Sequence, residues 1–286
     1  MANRSIRFLI FSGLFLTSVL AFADSPQKPF YNILDYGAVA DGKTLNTQAI
    51  QSAIDDAAQA GGGVVLIPAG SFLTGAIFMK SRLTLHLQSG AALLGSKDIV
   101  DYATTIPQIR SYTDNYVKQS LIYGENLEDI AITGRGTIDG QGAAFRWKEY
   151  KNRPYIIRFI SCRHVLIEDI FLKNSPMWMQ HYLACEDVTV RGIRVVNHST
   201  YNNDGIDIDS CRNVRISDCS FDSDDDALCL KSTTGRPCED IAITNCVLSS
   251  HCNAFKMGTE SNGGFTDIAV SNLSIHSPRD AQQDYG

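Results

Sequence analysis

Residues 163–174 read RHVLIEDIFLKN, and the pattern returns as EDVTVRGIRVVN at 186–197, RNVRISDCSFDS at 212–223 and EDIAITNCVLSS at 239–250. Each copy opens with two hydrophobic residues flanking one outward position, and a second such pair follows five and seven residues after the first. The leading pairs are Ile130/Ile132, Val165/Ile167, Val188/Val190, Val214/Ile216, Ile241/Ile243 and Ile268/Val270. From the second copy onward the trailing pairs are Ile170/Leu172, Ile193/Val195, Cys219/Phe221, Cys246/Leu248 and Leu273/Ile275. Spacing inside the unit is constant while spacing between units drifts, and period-2 alternation marks each piece as a short, half-buried strand. Short strands returning every coil, with inward residues in register, predict an all-β parallel β-helix. A leucine-rich repeat has a similar period but needs a Leu-x-x-Leu-x-Leu pattern that is absent. Asn174, Asn197 and Asn245 are the expected corner residues, because Asn tolerates a left-handed backbone.

Upstream the texture changes. Residues 46–60 place Ala49, Ile50, Ala53, Ile54 and Ala57 on one helical face, with Thr44 or Asn46 as cap and Gly61–Gly63 as stop. Such a short N-terminal capping helix would cover the open end of the coil stack. Leu83, Leu85 and Leu87 resume the strand pattern, and the aperiodic stretch 97–119 reads as a long loop walling a groove. Residues 1–23 read as a signal peptide: Arg4 and Arg7 precede an apolar run at 8–22 that ends in Ala21-Phe22-Ala23. About 15 residues is short for a membrane anchor, the alternative reading. Cleavage after Ala23 would leave residues 24–286 as a single β-helix domain, secreted or periplasmic, with no membrane attachment.

The chain has 286 residues, 44% of them hydrophobic, which supplies a sizeable core and excludes a disordered or collagen-like chain. A formal charge of -6 without any Lys/Arg block argues against nucleic-acid binding.

Two kinds of segment carry a resemblance. YNILDYGAVADGKTLNTQAIQSAI (31–54) and GGGVVLIPAGSFLTG (61–75) resemble the opening of pectin-active β-helix proteins. NNDGIDIDS (202–210), SDDDALCLKS (223–232) and HCNAFKMGTES (251–261) resemble, in order, the active-site segments of family 28 glycoside hydrolases, the polygalacturonases and their relatives. The resemblance implies a right-handed β-helix that hydrolyses galacturonosyl bonds in polygalacturonan or rhamnogalacturonan without a cofactor, as a monomer acting on pectic polysaccharide or oligogalacturonide.

Independently of the family, stacking Ile206/Ile208, Leu228/Leu230 and Phe255/Met257 as one strand position aligns Asp204, Asp226 and Asn253 two residues before each pair, and Asn203, Asp225 and Cys252 three before. Coils lie about 4.8 Å apart, so Asp204, Asp225 and Asp226 converge at one rim. Crowded acids repel, and at least one should hold a proton near neutrality, the division that glycoside hydrolysis uses. Singly, each Asp is a turn former, and together they could also form a Ca²⁺ site. The resemblance implies Asp225 as general acid, Asp204 and Asp226 as the pair that positions and deprotonates water, and inversion at the anomeric carbon. It leaves Asp207, Asp209 and Asp224 as supporting residues, and the family often has a small residue where Asp224 stands.

Two departures stand out. The family His aligns with Asn253, while this chain carries His251 two residues earlier; either a bulge lets His251 serve or Asn253 replaces it. The family's Arg-x-Lys carboxylate grip would lie one coil beyond the last, which reads as C-terminal truncation. Lys231 and Lys256, expected to point outward beside Asp209 and Asp207, are either substrate cations or structural ion pairs with those acids. Trp178 and His181 either floor a sugar subsite or are buried packing. Cys162, Cys185, Cys211 and Cys238 share one coil position and Cys219 and Cys246 another, which fits either disulfides or a ladder of thiols, but no zinc spacing. The alternatives in function are a Ca²⁺-dependent pectate lyase and a non-catalytic polysaccharide-binding β-helix.

Overall fold

The inward residues read from the repeat stack directly on one another. Val165, Val188, Val214, Ile241 and Ile268 are register partners in one parallel sheet, and Leu172, Val195, Phe221, Leu248 and Ile275 in a second. The computed structural model describes residues 30–278 apart from 116, so the signal segment lies outside the described residues. Among these, two nine-stranded sheets and one seven-stranded sheet are parallel throughout, and each strand's neighbour in a sheet lies one coil away in sequence. The chain is therefore a right-handed parallel β-helix. Its core is the inward ladder, almost wholly buried, and each aliphatic rung contributes about 1.5–3 kcal/mol of burial.

Asn174 and Asn245 take left-handed corners, both with φ 55. Asn197 does not. It ends the strand Arg194–Asn197, fully buried. Its Oδ1 accepts from the Ser175 amide at 2.8 Å and its Nδ2 donates to the Asn203 carbonyl at 2.8 Å, so it stitches the following turn to the previous coil. Further left-handed positions fall one residue before the leading pair, at Asp129, His164, Asp187, Asn213, Asp240 and Asp267, where a short polar side chain lowers the steric cost.

The helix Thr47–Gln59 buries Ile50, Ala53, Ile54 and Ala57 against the first coils. Neither proposed cap bonds the helix: Asn46 occupies the cap position but its side chain bonds Val39, and the Thr44 hydroxyl donates to Asp41. The stop is as expected. Gly61, Gly62 and Gly63 all have positive φ, and a Cβ on Gly62 would lie 2.5 Å from the Arg82 carbonyl.

The stretch 97–119 is irregular apart from two short 3₁₀ turns, Ile99–Asp101 and Tyr112–Asn115. It is anchored by a buried ion pair, Asp114 to Arg158 at 2.8 Å, and by Thr113 accepting from the Tyr155 hydroxyl. All eight cysteines are free thiols, and Cys162, Cys185, Cys211 and Cys238 donate to carbonyls of their own or the preceding coil. In the last described coil Met257 and Ile275, read as inward, are 44% and 60% exposed because no described coil stacks on them. No helix among the described residues is long and apolar enough to cross a membrane.

Candidate active site

The third sheet builds the site. Asp207–Asp209, Leu228–Ser232 and Phe255–Ser261 stack as neighbouring strands, with Ile208, Leu230 and Met257 in register. The turns that lead into these strands carry the acids to one rim. Asp204 and Asp226 are almost fully buried and Asp225 is half-buried. The Asp226 amide donates to the Asp225 carboxylate at 2.9 Å, and the Asp225 amide donates to Asn203 Oδ1 at 3.1 Å. The Ser223 and Ser250 hydroxyls both donate to the Asp225 carbonyl, fixing the turn from two coils.

The electrostatics divide the acids. Burial, followed by the negative charges of Asp207 and Asp225, pushes the Asp204 carboxyl well above its usual range, and its Oδ1 is buried with no hydrogen-bond donor. Burial raises Asp207 in the same way, against the pull of Lys231, whose Nζ stands 3.7 Å away, beyond hydrogen-bond distance. Asp226 is held differently: Lys256 Nζ lies 2.8 Å from Oδ2 and Asn253 Nδ2 lies 2.6 Å from Oδ1. At Asp209 burial acts upward, but hydrogen bonds from His181 and from the Thr233 amide and hydroxyl outweigh it and depress the carboxyl.

Several residues sit where the sequence did not place them. Asn203 is fully buried and braces Asp225 and the Asn197 carbonyl, so it is not open to substrate. Lys231, the register partner of Asp209, is buried, with its ammonium among Asp207, Glu260 at 3.1 Å and the Trp178 ring at 4.8 Å. Lys256 pairs with Asp226 rather than Asp207, and keeps a quarter of its side chain exposed. Trp178 is 3% exposed and His181 0%, stacked edge-on at 5.2 Å, which is the packing alternative rather than a sugar floor. Tyr112, from the anchored loop, closes over Trp178 at 6.1 Å. Of the two candidates for the family His position, Asn253 contacts an acid, whereas His251 Nε2 is buried without a hydrogen-bond partner. The Asp224 carboxylate meets His198 Nδ1 at 2.6 Å.

Sequence reasoning missed Arg153, His198 and Glu260. Arg153 is buried beside the acid turn, with Nε donating to the Pro176 carbonyl and Nη2 to that of Tyr201, and its charge is felt by Asp204 and Asp225. Its one sequence signal was the basic cluster at 146–153, RWKEYKNR, in an acidic chain. Ligand atoms of Asp225, Asp226 and Cys252 lie within 4.8 Å of one another, which could hold a cation. Burial and then the two carboxylates push the Cys252 thiol up to about 12, so it is a poor anionic ligand at neutral pH.

A parallel β-helix whose successive coils deliver a coupled acid cluster to one rim defines a class of carbohydrate-active solenoid. Comparison with known proteins places it further: the sequence profile of glycosyl hydrolases family 28 matches residues 63–279, and the chain belongs to that family. It is 37% identical over 219 residues to a "Probable polygalacturonase" of Vitis vinifera, covering 70% of this chain and 44% of the relative. It is 27% identical over 261 residues to an "Exo-poly-alpha-D-galacturonosidase" of Dickeya chrysanthemi, covering 72% and 42%. The chain thus spans less than half the length of these curated relatives. An exopolygalacturonase structure from Thermotoga maritima superposes with a TM-score of 0.75 at 28% identity, covering 87% of this chain and 68% of that one.

Proposed function

We propose that the chain hydrolyses galacturonosyl bonds of pectin, in polygalacturonan or rhamnogalacturonan, by acid/base catalysis from Asp225, Asp204 and Asp226. The observation that carries this reading is the unequal environment of three neighbouring carboxyls. Asp225, the most accessible, protonates the leaving glycosidic oxygen. Asp226, oriented by Lys256 and Asn253, takes the proton of the attacking water. Asp204 lies in the same coupled set, and its resistance to ionisation keeps a proton within the cluster at higher pH, so the pH profile reports the group and not one residue. Water attacking opposite the leaving group gives inversion, which rests on family membership. The single β-helix domain works as an exported monomer on pectic polysaccharide once residues 1–23 are removed.

The test is release of reducing ends from polygalacturonate and rhamnogalacturonan. Asp225→Asn, nearly isosteric, should lower the rate by about 10²–10⁴-fold; a variant that keeps most of the parent's activity refutes the assignment. The grouping of Asp225, Asp226 and Cys252 supports one second reading, a cation-dependent lyase. Cleavage abolished by EDTA and accompanied by absorbance from unsaturated products would establish that reading instead.

A further inference from the structure

Beside the acid turn lies a pocket of about 500 Å³ that the acid chemistry leaves unused. Its walls are Trp147, Lys148, Glu149, Tyr150, Arg153, Tyr201 and Asn202, with the Glu149 carboxylate held by Lys151. It adjoins the acids through the chain itself, since Tyr201 and Asn202 immediately precede Asn203 and Asp204. Arg153 ties the two together: its guanidinium bonds the Tyr201 carbonyl, reaches Asn202 Oδ1 at 3.4 Å and packs over the rings of Tyr150 and Tyr201 at 5.2 and 5.4 Å.

The pocket's arm is built to stand there. Gly142 lies so close to the following coil that a Cβ would come within 2.6 Å of the Ser175 carbonyl, so the arm is clamped at its base. At its far end Trp147 is 76% exposed, meets Tyr201 edge-on at 5.4 Å, and has a left-handed backbone, φ 69, costly for a bulky residue. Residues 146–153 carry four basic side chains against the single acid Glu149, in a protein of net charge -6. Lys148 has no ion pair among the described residues, whereas Lys151 is neutralised by Glu149 at 2.9 Å. An exposed indole, two tyrosines and an unpaired ammonium suit a ring with apolar C–H faces and a carboxylate edge. The volume is in the range of small-ligand sites.

We propose that this pocket is a uronate subsite flanking the cleavage point, with Trp147 as the ring platform and Lys148 as the carboxylate partner. The inference rests on the pectic-hydrolase reading for its ligand and supplies a positive contact not already paired with the site's acids.

The test uses the Asp225→Asn protein with trigalacturonate and, as a neutral control, galactotriose. The chain has two tryptophans, of which Trp178 is buried, so acrylamide quenching reports on Trp147. Trigalacturonate should shield Trp147 from the quencher. Trp147→Ala should weaken binding about tenfold, and Lys148→Gln about fivefold for the charged ligand only. Both positions are exposed, and near-UV dichroism checks that the variants fold. Trigalacturonate binding with no shielding and unchanged affinity in Trp147→Ala overturns the subsite while leaving the hydrolase reading intact. Shielding by galactotriose alone, or no binding of either sugar, overturns the uronate assignment. Shielding in a protein whose parent releases no reducing ends sinks the hydrolase reading and leaves the subsite standing.

Discussion

Asp114→Ala should be among the most destabilising single substitutions in the loop 97–119. Arg158 is fully buried, and its partners among the described residues are Asp114 at 2.8 Å and the face of the Tyr155 ring at 4.8 Å, while Nε and Nη1 are buried with no acceptor among those residues. Removing the carboxylate leaves an uncompensated buried cation, a loss of about 3–5 kcal/mol. For a chain of this size, about 2–4 °C per kcal/mol puts the expected fall in Tm at about 6–20 °C. The reverse single change, Arg158→Met, should cost less, about 1–3 kcal/mol, because Asp114 keeps the Ser111 amide at 2.8 Å and the Ser111 hydroxyl at 3.3 Å. The double variant should recover most of the loss, since an apolar pair needs no desolvated charge. Urea unfolding of the four proteins gives the cycle. A loss under about 1 kcal/mol for Asp114→Ala, or strict additivity in the double variant, would refute the claim that this pair pins the loop. Because that loop lays Tyr112 on Trp178 beneath Lys231, Asp114→Ala should also raise KM for pectic substrate.

Stability should fall as pH rises above about 4. The raised carboxyls of Asp204 and Asp207 keep their protons in the fold after the unfolded chain has released its own. His198 acts in the same direction at higher pH. Burial opposes its charge but the bond to Asp224 outweighs it, and the raised imidazole loses its contribution as pH climbs through its folded value. Asp204→Asn should flatten the acidic part of this slope in thermal melts; an unchanged slope would count against the burial of that acid. Asp209, depressed by His181 and Thr233, acts oppositely below about 4, where its contribution disappears on protonation. Thr233→Val removes a 2.6 Å hydrogen bond to that carboxylate and should cost about 2 kcal/mol in urea unfolding; no measurable loss would sink the role given to Thr233. Thiol titration of the folded protein should reach Cys252 alone, and slowly at neutral pH because its thiol is pushed up to about 12, with the other seven reacting after denaturation.

Most of the solenoid was legible because its determinants are local. The leading pair of each coil must alternate to bury one face, so Val188 and Val214 reveal the register without reference to anything distant. The same counting aligned Asp204 with Asp226 and Asn253. It failed at Asn197, which has the identity of a corner residue but serves as a buried brace, because its amide bonds to Ser175 and Asn203 depend on the coil before and the turn after. It gave the direction of Lys231, which points out of the solenoid core on the rung of Asp209, but not its burial there among Asp207, Glu260 and the Trp178 ring.

By itself the sequence determined the repeat, the strand register and the alignment of three acids at one rim, consequences of a two-residue period repeated coil after coil, while the family was carried by the resemblance of particular segments. The tertiary structure alone decided which acid is desolvated, which lysine holds which carboxylate, and that Asn253 rather than His251 reaches Asp226. It also brought the 146–153 arm against Tyr201. The physical reason is range: burial and ion pairing depend on groups about 25 to 50 residues apart in the chain, and no local pattern encodes which of them will be neighbours.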